Sequence, residues 1–131
     1  MPGKLVHVEI LSKDGDRARK FYSALLGWKF KDAGVPGMDY QMTENIEPVV
    51  AVYTAAERKG PIVYFEVDDI DASIKQARTL GGTADEKMPV PGEGWFSACV
   101  DTEGSPFSLW ETDKKAPMPE QPDQGAPGGA A

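Results

Sequence analysis

His7 is the only histidine in the chain, and Glu9 follows at i+2, the spacing that sets two side chains on one face of a β-strand. An imidazole near neutrality can take up or give a proton, and a carboxylate beside it can orient it or act itself. The two are the candidate catalytic residues, with a hydrogen-bonded wall residue as the plainer role for each. Tyr40, Tyr53, Tyr64, Trp95 and Trp110 form an aromatic set spread over the same span. Lining one cleft, these rings suit an aromatic or heterocyclic ligand, with the tyrosine hydroxyls fixing its orientation; turned elsewhere, they are core or interface packing. Cys99 is the single cysteine. No basic neighbour in sequence activates its thiol, so it reads as a buried structural residue. One cysteine also excludes an internal disulfide framework and a multi-thiolate zinc site. A glycine-flanked serine nucleophile and a phosphate-cradling GK[ST] loop are both missing.

The elements that must position these residues occur twice. VHVEILSKDGDRARKFYSALLGW and IVYFEVDDIDASIKQARTLGGT lie 55 residues apart, and that offset sets Val8 on Val63, Asp16 on Asp71, Gly27 on Gly82 and Tyr40 on Trp95. In the first copy Val6, Val8 and Ile10 alternate with Leu5, His7, Glu9 and Leu11, the period of two of a strand. Asp14 or Asp16 caps the helix that follows, whose Ala18, Phe21, Tyr22 and Leu25 recur at helical spacing and should pack on the aliphatic strand face. Gly27 ends that helix, and strands are expected near 28–32, 38–43 and 48–54. The second copy runs from a strand at Ile62 through a helix over about 70–80, capped by Asp68 or Asp69, to strands near 83–87, 95–100 and 106–111. There Ile62, Tyr64 and Glu66 share the face that His7 and Glu9 occupy in the first. PVPGEG, residues 89–94, is a turn able to lie over the cleft mouth.

Each unit is therefore βαβββ, the first over about 4–55 and the second over about 60–112. The fold class is α+β: two units set their curved sheets around a shared groove, within one domain at 1–113. Such sheets often complete their burial by pairing, so a homodimer is expected. From 114 to 131 the composition turns to Pro, Gly, Gln, Lys and Ala, which predicts a flexible tail. Net charge is −7, with 14 Lys and Arg dispersed among 21 Asp and Glu, so there is no basic stripe for nucleic acid. No apolar run is long enough to span a bilayer and the start carries no secretory signal, which makes the expected location cytoplasmic.

The segments HVEILSKDGDRARKFYSALLGW, EVDDIDASIKQARTLGG and VPGEGWFSACVDTEGSPFSLWE, in this order over about 4–112, resemble the vicinal oxygen chelate superfamily. That superfamily includes glyoxalase I, bleomycin resistance proteins and extradiol dioxygenases; DTEGSPFSLWE is similar to its Asp-Pro-(Asp/Glu)-Gly-Asn lead into a strand. The nearest resemblance is to the branch related to lactoylglutathione lyase. The superfamily's enzymes hold a divalent metal with groove residues from both units, and the resemblance puts His7 at the first ligand position. The partner positions are Ile62, which cannot ligate, and Ser108, whose repeat mate is Tyr53. Glu9 and Glu66 share the groove face and are the residues through which a shifted metal site would form. The expectation is a protein that binds an organic small molecule, aromatic or, given the acidic charge, cationic, without the usual metal or another cofactor. A metal-dependent lyase, isomerase or dioxygenase is the alternative, and a partner-binding protein using its tail is a third.

Overall fold

In the computed structural model, residues 2–55 and 60–118 are described. Unit one runs β1 (Lys4–Ser12), α1 (Gly15–Leu26), β2 (Phe30–Asp32), β3 (Tyr40–Thr43) and β4 (Val49–Thr54). Unit two runs β5 (Ile62–Glu66), α2 (Ile70–Thr79), β6 (Thr83–Ala84), β7 (Met88–Val90), β8 (Gly94–Val100) and β9 (Pro106–Thr112). The strands join in one curled sheet of order β2-β3-β4-β1-β5-β9-β8-β6, with β7 also on β8. The two units meet edge to edge where β1 and β5 pair antiparallel. On either side of that seam the repeat holds, since β1 is parallel to β4 and β5 is parallel to β9. The α+β expectation and the paired units are therefore what the chain builds. One element went unforeseen: β7 takes the start of the expected 89–94 turn into the sheet.

Caps set both helix starts. Asp14 accepts from the Arg17 backbone N–H and Asp69 from that of Ala72, each at 3.0 Å, which satisfies donors a helix N-terminus leaves open. Gly27 ends α1 in the left-handed conformation at φ 72°. Both helices lie on the outer sheet face but pack differently. Ile70 and Ile74 of α2 join Ala84, Cys99 and Leu109 in an apolar core, which confirms Cys99 as buried. Helix α1 departs from the expected packing. Its buried side chain is Arg19, which donates to the Val52 carbonyl at 2.9 Å and pairs with Asp16 and Asp39. The helix is rotated so that Tyr22 is half-buried, while Phe21 and Leu25 are 60% and 64% exposed. An arginine over the sheet sits near the backbone carbonyl it serves, and this turns the apolar stripe sideways.

The chain beyond β9 does not leave the fold at 114. Ala116 is buried, and its carbonyl accepts from Gly92 N–H at 3.0 Å, tying the first tail residues to the turn after β7. The rest of the expected tail, 119–131, lies outside the described residues.

Candidate functional site

Strand register brings the groove residues together. Across the seam His7 stands opposite Tyr64 and Glu9 opposite Ile62, so all four share the face away from the helices. Tyr53 enters from β4 beside Leu11, Tyr40 from β3 opposite Tyr53, and Ser108 from β9 beside Tyr64. Glu9 is the centre of the cluster and is only 7% exposed. Its Oε2 accepts the Tyr40 hydroxyl at 2.6 Å, and the same hydroxyl lies 2.9 Å from His7 Nε2. Tyr64, across the seam from His7 and beside Ser108, feels the Glu9 charge. The rings close over these contacts: Tyr64 meets His7 edge-on with centroids 5.0 Å apart, and Tyr53 lies 5.0 Å from Tyr40. A buried carboxylate needs such donors, because uncompensated burial of charge is costly.

The site's electrostatics follow from that burial. Desolvation lowers the His7 pKa from 6.5 to about 4, which keeps the imidazole neutral at pH 7. Tyr40 and Tyr64 are both pushed above the ordinary phenol range, first by burial and then by the negative charge of Glu9 and the hydrogen bond to it. Both hydroxyls stay protonated and remain donors. The groove thus holds one acidic side chain, one neutral base and several hydroxyls.

Other expected site residues separate from this cluster. Trp95 is on the opposite sheet face, packed against the α2 core, where its Nε1 donates to Asp113 at 3.0 Å and the Lys87 ammonium lies 4.3 Å from its ring centre. Phe96 takes the groove side of that strand, in register with Trp110. Alternation alone allowed either assignment, and the pairing of β8 with β9 decides it. Trp110 and Glu66 do face the groove, side by side, but in a second cluster: Thr112 donates to Glu66 at 2.7 Å and accepts from Trp110 at 3.0 Å. Glu66 pairs across the seam with Lys4 rather than with His7. The Tyr40 bridge between His7 and Glu9 was not foreseen, since nothing in the sequence links position 40 to position 9.

The donors around His7 do not fit a divalent metal. Ile62 and Ser108 occupy the partner positions, His7 Nε2 already faces the Tyr40 hydroxyl, and Glu66 is committed to Thr112. Among the described residues no group of three or more His, Cys, Asp and Glu side chains is placed to hold a metal ion. Such a site needs about three protein ligands.

Comparison with known proteins agrees with the fold. Residues 4–44 match the family model for the bleomycin resistance protein-like N-terminal region. A glyoxylase-like domain-containing protein of Didymella fabae is 30% identical over 118 residues, covering 82% of this chain and 92% of that one. CFP32 of Mycobacterium bovis, named for a glyoxylase, is 34% identical over 119 residues, or 82% of this chain and 45% of CFP32. The anthracycline biosynthesis protein DauV of a Streptomyces species is 31% identical over 122 residues, or 89% of this chain and 44% of DauV. The chain thus spans about half the length of these last two relatives. A superfamily member from Vibrio splendidus superposes with TM-score 0.66 at 14% identity, covering 84% of this chain and 99% of that one. Methylmalonyl-CoA epimerase from Mycobacterium tuberculosis does so with TM-score 0.65 at 17% identity, covering 84% and 88%. A curled sheet with two outer helices and a groove shared by paired units defines the vicinal oxygen chelate class. The chain belongs to the glyoxalase/bleomycin resistance/dioxygenase superfamily.

Proposed function

We propose that this protein binds an organic small molecule in the groove at His7, Glu9, Tyr40, Tyr53 and Tyr64, without a divalent metal or other cofactor. The observation that carries the reading is Glu9, a nearly buried carboxylate held by the Tyr40 hydroxyl at the floor of an aromatic groove that Tyr64 lines from the other unit. Ligand sites are built this way, from apolar walls and a few convergent polar groups. The rings favour an aromatic ligand, and the Streptomyces relative named for anthracycline biosynthesis supports the same class. Ile62 and Ser108 form the floor beside Tyr64, with Phe96 and Trp110 farther along the groove.

A thermal-shift panel of aromatic, cationic and aliphatic compounds tests the proposal. A ligand at 100 times its Kd stabilises the native state by about 2.7 kcal/mol, so aromatic binders are expected to raise the melting temperature by several degrees. Flat curves for every compound would overturn the reading. The rival lyase, isomerase or dioxygenase chemistry needs a metal. Elemental analysis after loading with Zn, Ni, Mn or Fe separates the two, and stoichiometric metal lost on His7→Ala would replace this proposal with the rival.

The expected homodimer belongs to the same proposal. It is supported by Phe21, Leu25 and Leu26, 49–64% exposed on one helix. A cytoplasmic location fits a chain whose one cysteine is free and buried. No helix among the described residues is long and apolar enough to cross a membrane.

A further inference from the structure

One hydroxyl stands between the base and the acid of the groove, and counting its protons gives the state of the base. Tyr40 has a single O–H proton and oxygen lone pairs. Its contact with Glu9 Oε2 is 2.6 Å, the length of a hydroxyl donating to a charged acceptor, and a carboxylate can only accept. The Tyr40 proton is therefore spent on Glu9. The 2.9 Å contact between the Tyr40 oxygen and His7 Nε2 must then be donated by the imidazole. A neutral ring with its proton on Nε2 has an unprotonated Nδ1.

We propose that the Glu9–Tyr40 pair locks His7 in the neutral Nε2–H tautomer, so that the groove offers Nδ1 as a hydrogen-bond acceptor to a neutral ligand carrying an O–H or N–H donor. This rests on the groove being the ligand site and adds the class of ligand it takes: phenols and comparable donors rather than cations. The titratable groups facing the imidazole are Glu9 on its own strand, Tyr40 from β3 and Tyr64 from β5, with Tyr53 of β4 behind Tyr40. With the tyrosines protonated, none of them supplies a positive charge that would reverse the donor order. The contacts of Tyr40 place a proton on Nε2, and burial of the ring disfavours a second one on Nδ1.

Because His7 is the only histidine, its two ring nitrogens can be read without assignment ambiguity in nitrogen-15 labelled protein. At pH 7 the long-range nitrogen–proton spectrum is expected to show one neutral imidazole, protonated at Nε2 and bare at Nδ1. Tyr40→Phe removes the acceptor of that proton and is expected to shift the ring toward a mixture of tautomers. The untouched protein already decides the matter if that variant does not fold: an Nδ1–H ring or an imidazolium at pH 7 overturns the inference. Titration with phenol, which keeps its O–H at pH 7, supplies the ligand arm, in which the Nδ1 resonance should move in step with the thermal shift. Stabilisation by phenol with Nδ1 unmoved overturns this inference alone. Flat melting curves for the whole aromatic panel overturn the groove as a ligand site, and this inference with it.

Discussion

His7 couples the groove to the stability of the molecule. In the unfolded chain it titrates near 6.5, and in the fold near 4, so between those values the unfolded state binds more protons. Stability from this group is fully present above pH 6.5 and is lost as pH falls toward 4. The gap corresponds to roughly 3 kcal/mol. Urea unfolding at pH 7 and at pH 4.5 is expected to show a loss that His7→Gln reduces by most of that amount. An equal loss in both proteins would mean that the imidazole is already charged in the native state. At the same scale the candidate pair His7 and Glu9 was legible because alternation puts i and i+2 on one face. The Tyr40 link was not, because it depends on β3 reaching β1 across β4, a long-range pairing with no local signature.

At the scale of elements, α1 is the part that local pattern misread. Its apolar spacing was visible, but spacing does not say which flank of a helix meets the sheet. Arg19 decided that by reaching the Val52 carbonyl and the Asp39 carboxylate, a preference that arises only once β4 and the 33–39 loop are in place. Removing the guanidinium takes a donor from the Val52 carbonyl and leaves Asp39 its Thr54 hydroxyl but no cation, so Arg19→Ala is expected to cost about 2–4 kcal/mol. Lys20→Ala, on the exposed side of the same turn, should cost under ~0.5 kcal/mol in the same urea titration. The stripe that Arg19 turned aside makes a separate prediction. Leu25→Glu, at a position 64% exposed in the single chain, should leave the fold intact by far-ultraviolet circular dichroism while converting a dimer to monomer in sedimentation velocity. A dimer that survives Leu25→Glu and Phe21→Glu uses another face.

For the molecule as a whole, the seam between β1 and β5 makes one cooperative unit of two repeats. Glu9 and His7 from the first stand against Ile62 and Tyr64 from the second, so opening the seam exposes a buried carboxylate. Ile74→Ala, in the core under α2, is expected to cost about 2–4 kcal/mol. The His7 resonances, in the other unit, should lose their native positions at the same urea concentration as the far-ultraviolet signal. Two separate midpoints would show units that fold independently. The doubled pattern could be read from the sequence because each unit repeats its strand, helix and glycine stop. The curl and the seam could not, because they follow from pairings between residues tens of positions apart.

Among the described residues the sheet ends on short strands: three residues in β2, and two in β6 beside three in β7. A long bare edge is a template on which further chains can stack through their backbones. Ending the sheet on strands this brief, one of them carrying Lys31 between Phe30 and Asp32, denies such stacking a foothold. The protein can therefore stay dispersed when concentrated, and an insertion that lengthened β6 would trade that colloidal safety for fibre growth.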